Sequence, residues 1–321
     1  MKKIIAIIMA SFISVIGLTG CGQKETTNNN SEKLKIVASI FPVYDWTKEI
    51  IGNSEDVDLT LLLNSGVDLH SYQPTVEDIT KISDCDIFIY IGGESDKWMT
   101  NALQQATNKN MKVIKLIDVL ADDLKKTVHN EQEEEHSNDH HHEYDEHVWL
   151  SLKNAVKCCN EIAETLKDVD EEGYNNTYKA NLENYITNLI ELDAQYKEAV
   201  DNSNKKSLVF GDRYPFIYMT SDYGIDCYSA FVGCSAETEA SFKTITGLAE
   251  KVDELNLNAV ITIEKSDGKI ANAIIENTKN KNQKVLVLDS MQATNAEDIK
   301  NGATYLSIMK TNLDSLKEAL K

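Results

Sequence analysis

Arginine is nearly absent from this chain: of 32 basic residues, only Arg213 is an arginine. Against 52 acidic residues the formal net charge is −20, which argues against nucleic acid or an anionic membrane surface as a partner and suits cations. Long apolar runs are scarce as well. The one candidate, Ile4 to Leu18 behind Lys2 and Lys3, is too short for a comfortable transmembrane helix. Six cysteines are present, and five remain once Cys21 is set aside: Cys85, Cys158, Cys159, Cys227 and Cys234. An odd count excludes complete internal pairing, and the spacings match no zinc-finger template. Cys227 and Cys234 could bridge across a turn, but most of these thiols read as buried small apolar groups. Catalytic signatures are missing too. There is no G-x-x-x-x-G-K-[ST] phosphate loop and no G-x-S-x-G elbow. The stretch "HEYDEH" is only superficially a metalloprotease helix. Its His142 and His147 are five apart, which on a helix turns them roughly 140° from each other. The chain therefore reads as a binding protein and not an enzyme.

What the chain holds in excess lies in one place. Six of its seven histidines fall between His129 and His147. The same stretch carries Glu131, Glu133, Glu134, Glu135, Asp139, Glu143, Asp145 and Glu146, and no Lys or Arg occurs between Lys126 and Lys153. Contiguous acids usually form a solvated loop, and a histidine-rich tract can be disordered. Yet neutral imidazole binds divalent metal near neutral pH, and neighbouring carboxylates concentrate the cation. His129, His136, His140, His141 and His142 are accordingly read as a metal-collecting loop with several alternative donor sets, distinct from any rigid site.

Residues 1–21 read as an export signal. Leu18-Thr19-Gly20-Cys21 resembles a bacterial lipobox, which implies cleavage before Cys21 and a lipid on its sulfur. That would anchor the protein to the outer face of the cell membrane. Residues 22–33 are polar and aperiodic, as a flexible tether would be. Short β-branched runs then recur: "LKIVASI", "VDLTLLL", "DIFIYI" and "KVIKLI", followed later by "SLVF", "IDCYSAFV", "AVITI" and "KVLVL". Helical segments lie between most of them. The alternation predicts an α/β protein of two (β/α)4 lobes with mostly parallel sheets, over residues 34–150 and 205–321. The intervening residues 151–204 read as helical. Tyr174, Tyr178, Leu182, Tyr185, Leu189, Leu192, Tyr196 and Val200 form one apolar stripe at spacings of three and four. A helix over 174–200 would reach about 40 Å, which suits a rigid connector packed against both lobes.

Ligands of open parallel sheets bind beyond the carboxyl ends of the strands. Asp212 follows "SLVF" after one Gly, Glu264 follows "VITI", and Asp289 follows "KVLVL". His70 lies a few residues past "LTLLL", and His147 ends the histidine-rich run. Each has a bland alternative as a surface group or helix cap. Taken together, two imidazoles and two or three carboxylates suit zinc, and carboxylate-rich versions of such a set suit manganese.

The lipobox, "GVDLHSYQPTVEDI", "DEHVWLSLKNA", the long connector and "VLVLDSMQ" occur in an order that resembles the zinc- and manganese-binding lipoproteins of bacterial metal-import ABC transporters. The resemblance runs from Leu34 to near the C-terminus. It implies a monomer of two lobes joined by a long helix with the metal between them, zinc more than manganese. It also implies delivery to a membrane permease with its cytoplasmic ATPase. Some relatives carry an adhesin label, so a surface adhesin or metal buffer is the alternative. By position, His70 and His147 match imidazole ligands and Asp289 the acid after the last strand. Leu69, Gln73, Glu146 and Ser151 depart from the usual Pro, Glu, Pro and Asp, and none of these removes a donor. At the third ligand position stands Arg213, which cannot ligate a metal. Asp212 is the expected substitute, with Glu264 behind it, and Arg213 is expected to pair with Glu264 or Glu239.

Overall fold

A computed structural model describes residues 33–126, 144–231 and 240–321. All eight expected strands form, four to a sheet, and every neighbouring pair is parallel. Strands β1 (Leu34–Ala38), β2 (Val57–Leu61), β3 (Ile87–Tyr90) and β4 (Lys112–Lys115) lie in the order β2-β1-β3-β4. Strands β5 (Ser207–Phe210), β6 (Asp226–Ser229), β7 (Ala259–Ile263) and β8 (Lys284–Leu288) repeat it as β6-β5-β7-β8. The central strand β7 is buried along its whole length, as a parallel strand covered on both faces must be. At the edges, β4 and β8 leave Val113, Val285 and Val287 exposed.

Helices α1 (Phe41–Ile51), α2 (Val76–Asp84) and α3 (Met99–Gln104) serve the first sheet, and α4 (Leu152–Val169) and α5 (Lys179–Asp201) follow in the chain. Helices α6 (Ile217–Tyr223), α7 (Phe242–Glu254), α8 (Lys269–Glu276) and α9 (Tyr305–Ala319) serve the second. Their starts obey local chemistry. Thr75 and Asp78 form a reciprocal capping box on α2, Thr304 and Ser307 one on α9, and Ser151 Oγ accepts from Asn154 N on α4. Cys85, Cys158 and Cys159 are buried free thiols, as expected, and Cys227 is a half-buried one.

The connector starts just ahead of its stripe, since a turn at Glu171–Gly173 leads through Tyr174–Tyr178 into α5. All eight stripe residues are buried. Asn181 Nδ2 donates to Ile50 O at the end of α1 at 3.0 Å, and Tyr196 Oη donates to Met309 O in α9 at 2.6 Å. One rigid helix thus carries contacts to both lobes. A second tie crosses at Tyr305. Its backbone N–H donates to Asp45 Oδ2 at 2.8 Å, its hydroxyl to Trp149 O at 2.7 Å, and its ring meets Trp46 edge-on at 5.2 Å.

Asp45 is 1% exposed, and burial raises its carboxyl from the ordinary 3.8 to about 7, with Glu49 adding to the rise and the Tyr305 N–H and Lys48 opposing it. The folded chain therefore keeps a proton that the unfolded chain releases, so this group's contribution to stability falls as pH rises from about 4 to about 7. Asp45→Asn retains the acceptor for Tyr305 without the charge. It should stabilise the protein at pH 8 by on the order of 2 kcal/mol and leave pH 4 nearly unchanged, as read by urea unfolding at the two pH values.

Candidate metal centre

After β2 the chain makes a single tight turn, Leu69–Ser71, started by Asp68, whose Oδ1 accepts from His70 N at 3.0 Å. After β4 the same device recurs. Asp145 Oδ1 accepts from His147 N at 2.9 Å, and Asp145 O is fixed by Tyr218 Oη at 2.6 Å from the second lobe. Each histidine ring is therefore aimed by an aspartate two residues ahead of it.

Both rings are also held from behind. His147 Nδ1 lies 2.8 Å from Asp145 Oδ1, and a carboxylate only accepts, so Nδ1 carries the hydrogen. His70 Nδ1 lies 2.8 Å from Ser95 Oγ and 3.1 Å from Glu146 Oε1. Ser95 Oγ already donates to Glu146 Oε1 at 2.6 Å, so Nδ1 of His70 is again the donor. In the neutral imidazoles the two Nε2 lone pairs then face each other, 3.3 Å apart. Two nitrogens on one tetrahedral zinc at ~2.0–2.1 Å lie roughly 3.3–3.4 Å apart. Carboxylate-backed imidazoles presenting Nε2 are the usual form of metal-bound histidine.

Glu146 is the least expected part of this arrangement. Burial alone would raise its carboxyl, but the bond from His70, the positive charge that His147 carries when protonated and the bond from Ser95 overcome that and hold it at about 2. Ser95 N–H donates to its Oε2 at 3.0 Å. Gly93 makes room for it: a Cβ there would stand 2.2 Å from Oε2 and 2.4 Å from Cβ of Glu146. In the sequence Glu146 is one acid of the histidine-rich run, standing where the resembled family usually has proline.

The second lobe arranges its candidates differently from expectation. Asp212 Oδ1 accepts from Arg213 N at 2.8 Å and its other oxygen accepts from Ser266 Oγ. Among the described residues Arg213 pairs with Asp68. Its Nη2 donates to Asp68 Oδ2 at 2.9 Å, tying the second lobe to the turn that carries His70. Glu264 accepts from Ser290 N at 2.8 Å, Gln292 N at 3.1 Å and Ser290 Oγ at 2.8 Å, which makes it a brace for the loop after β8. Asp289 Oδ1 accepts from Met291 N at 2.8 Å, and burial, then Glu264, push its carboxyl up to about 7. Among the described residues no three His, Cys, Asp or Glu side chains are grouped to hold one metal. The structure brings His70 and His147 together and adds Gln292, whose Oε1 lies 3.3 Å from His147 Nε2. His129, His136, His140, His141, His142, Cys21, Cys234 and Glu239 lie outside the described residues.

Gly93→Ala should expel the Glu146 carboxylate from its seat and cost about 1–3 kcal/mol, read as a lower urea midpoint at unchanged slope. A stability within 0.5 kcal/mol of the parent, roughly the scatter of surface substitutions, would mean that the seat is not rigid.

The "Zinc-binding protein AdcA" of Streptococcus pyogenes serotype M1 is 31% identical over 329 residues, covering 99% of this chain and 61% of that protein. The chain thus spans about 61% of the length of that relative. The "High-affinity zinc uptake system protein ZnuA" of Bacillus subtilis strain 168 is 29% identical over 325 residues, covering 98% of this chain and 96% of that one. Among solved structures, Zn(II)-bound AdcA from Streptococcus pneumoniae superposes with a TM-score of 0.70 at 29% identity, over 90% of this chain and 58% of that chain. The family described as zinc-uptake complex component A, periplasmic, matches residues 36–319, and the chain belongs to it.

Proposed function

We propose that this protein is the extracytoplasmic zinc-binding component of an ABC-type importer, capturing Zn2+ and passing it to a membrane permease powered by a cytoplasmic ATPase. The observation that carries the reading is the pair of Nε2 atoms 3.3 Å apart, each imidazole backed by a carboxylate. His70 and His147 supply the imidazoles. Asp145 and Glu146 behind the two rings, with Glu264 under the loop after β8, contribute the negative charge that offsets the desolvation of a dication between the lobes. Imidazole donors suit zinc, and manganese prefers a site richer in carboxylate. The relatives named for zinc binding and zinc uptake support the same cargo. Cys21 would carry the lipid that holds the protein to the outer face of the membrane, and the run from His129 to His142 would gather zinc for the interlobe site. The family is a binding component of a transport system, and no catalytic role follows from it.

Calorimetric zinc titration tests the reading. The parent should show one tight site plus weaker ones. His70→Ala or His147→Ala should each lower the tight affinity by roughly a hundredfold or more, beyond the loss typical for an outer partner of a metal ligand. Deleting residues 129–142 should remove the weak sites alone. If the tight site disappears with that deletion and survives both histidine substitutions, the interlobe site is not the zinc site.

A further inference from the structure

The second lobe meets the imidazole pair through a residue that no charge marks. Gln292 Oε1 lies 3.3 Å from His147 Nε2, and the side chain is 5% exposed. Which end of the amide faces the histidines is set by a chain of bonds leading away from them. Glu264 only accepts, so Ser290 Oγ donates its single hydrogen to that carboxylate at 2.8 Å. Ser290 Oγ is left to accept from Gln292 Nε2 at 2.8 Å. The amide nitrogen is thereby turned away from the histidines and the carbonyl oxygen towards them.

The loop that presents this oxygen is held from several sides. Glu264 accepts from the backbone of both Ser290 and Gln292, and Trp149 Nε1 of the first lobe donates to Ser290 O at 2.8 Å. Met291 sits at a φ of +62°, a conformation that a non-glycine side chain keeps only where its surroundings impose it. Asp289, the acid that sequence reading favoured, caps its own turn through Met291 N, and its main chain is tied to Asn312 at 2.7 and 2.8 Å.

We infer that Gln292 Oε1 is the second lobe's donor to the metal held by His70 and His147, with Ser290 and Glu264 as its positioning residues. The inference rests on the metal reading of the histidine pair. It makes the donors from these three residues neutral: two imidazole nitrogens and an amide oxygen. The balancing charge then sits one bond further out, on Asp145, Glu146 and Glu264.

The test titrates zinc into the full chain against a chromophoric chelator and records the visible spectrum of the Co2+ form. Binding lost in His70→Ala defines the site. Gln292→Ala should lower its zinc affinity about tenfold or more, the scale reached even by outer partners of metal ligands, and should alter the Co2+ bands. Gln292→Glu, which keeps the shape and adds a charge, should raise the affinity. Asp289→Asn should leave affinity within about threefold and the Co2+ spectrum unchanged, well short of a ligand loss. If Gln292→Ala matches the parent in both readouts, or Asp289→Asn carries the loss, the inference fails and the histidine reading stands. If His70→Ala leaves tight zinc binding unchanged, it is that underlying reading which fails.

Discussion

Two neutral imidazoles with their lone pairs facing each other at 3.3 Å repel, and the architecture around them exists to keep them there. Asp145 and Glu146 do this by fixing where each ring carries its hydrogen. Because both Nδ1 atoms donate backwards in the neutral rings, both Nε2 atoms accept forwards, and one cation placed between them can satisfy both. Adjacent residues thus serve different rings: Asp145 holds His147, and Glu146 reaches over to His70 and Ser95. A short segment, Asp145 to His147, so sets the tautomers of two histidines that are 77 positions apart. The Gly93 seat and the tie from Tyr218 to Asp145 O keep that segment in place.

The fold supplies the convergence. His70, Ser95 and His147 follow β2, β3 and β4, while Asp212, Glu264 and Gln292 follow β5, β7 and β8. All lie past the carboxyl ends of parallel strands, where loops gather in sheets of this kind. Repeating one strand order in two lobes and facing those ends together doubles the number of loops available to one site. The connector, buried along its stripe and bonded to α1 and α9, resists independent movement of the two halves.

Much of this was legible in the sequence because it rests on period and spacing. Strands of parallel sheets read as short apolar β-branched runs, and all eight could be found from that pattern although only β7 is buried along its whole length. The stripe from Tyr174 to Val200 fixed the connector because it too is a matter of period, although the turn at Glu171–Gly173 lies ahead of the stripe and carries no such signal. His70 stood out as the one histidine outside the clustered run, and His147 as the last member of that run, just before the apolar Val148-Trp149-Leu150. The second-lobe contacts were harder. Charge drew attention to Asp212 and Asp289, but a carboxylate is as good at capping a turn as at holding a cation, and both of these cap. Gln292 lies three residues beyond Asp289 and looks like any polar loop residue. Its direction depends on Ser290, Glu264 and the backbone angle of Met291, none of which a spacing rule can encode.

Arg213 completes the electrostatic argument. A guanidinium cannot ligate, yet it stands at the lobe boundary and binds Asp68, whose other oxygen positions the backbone of His70. The bond between the lobes that a shared metal would provide is thus partly provided by an ion pair whose two ends are each 24% exposed. Such a pair contributes modestly to stability, on the order of 1 kcal/mol or less, because solvent screens it. Its value is geometric: it keeps the His70 turn registered against the second lobe.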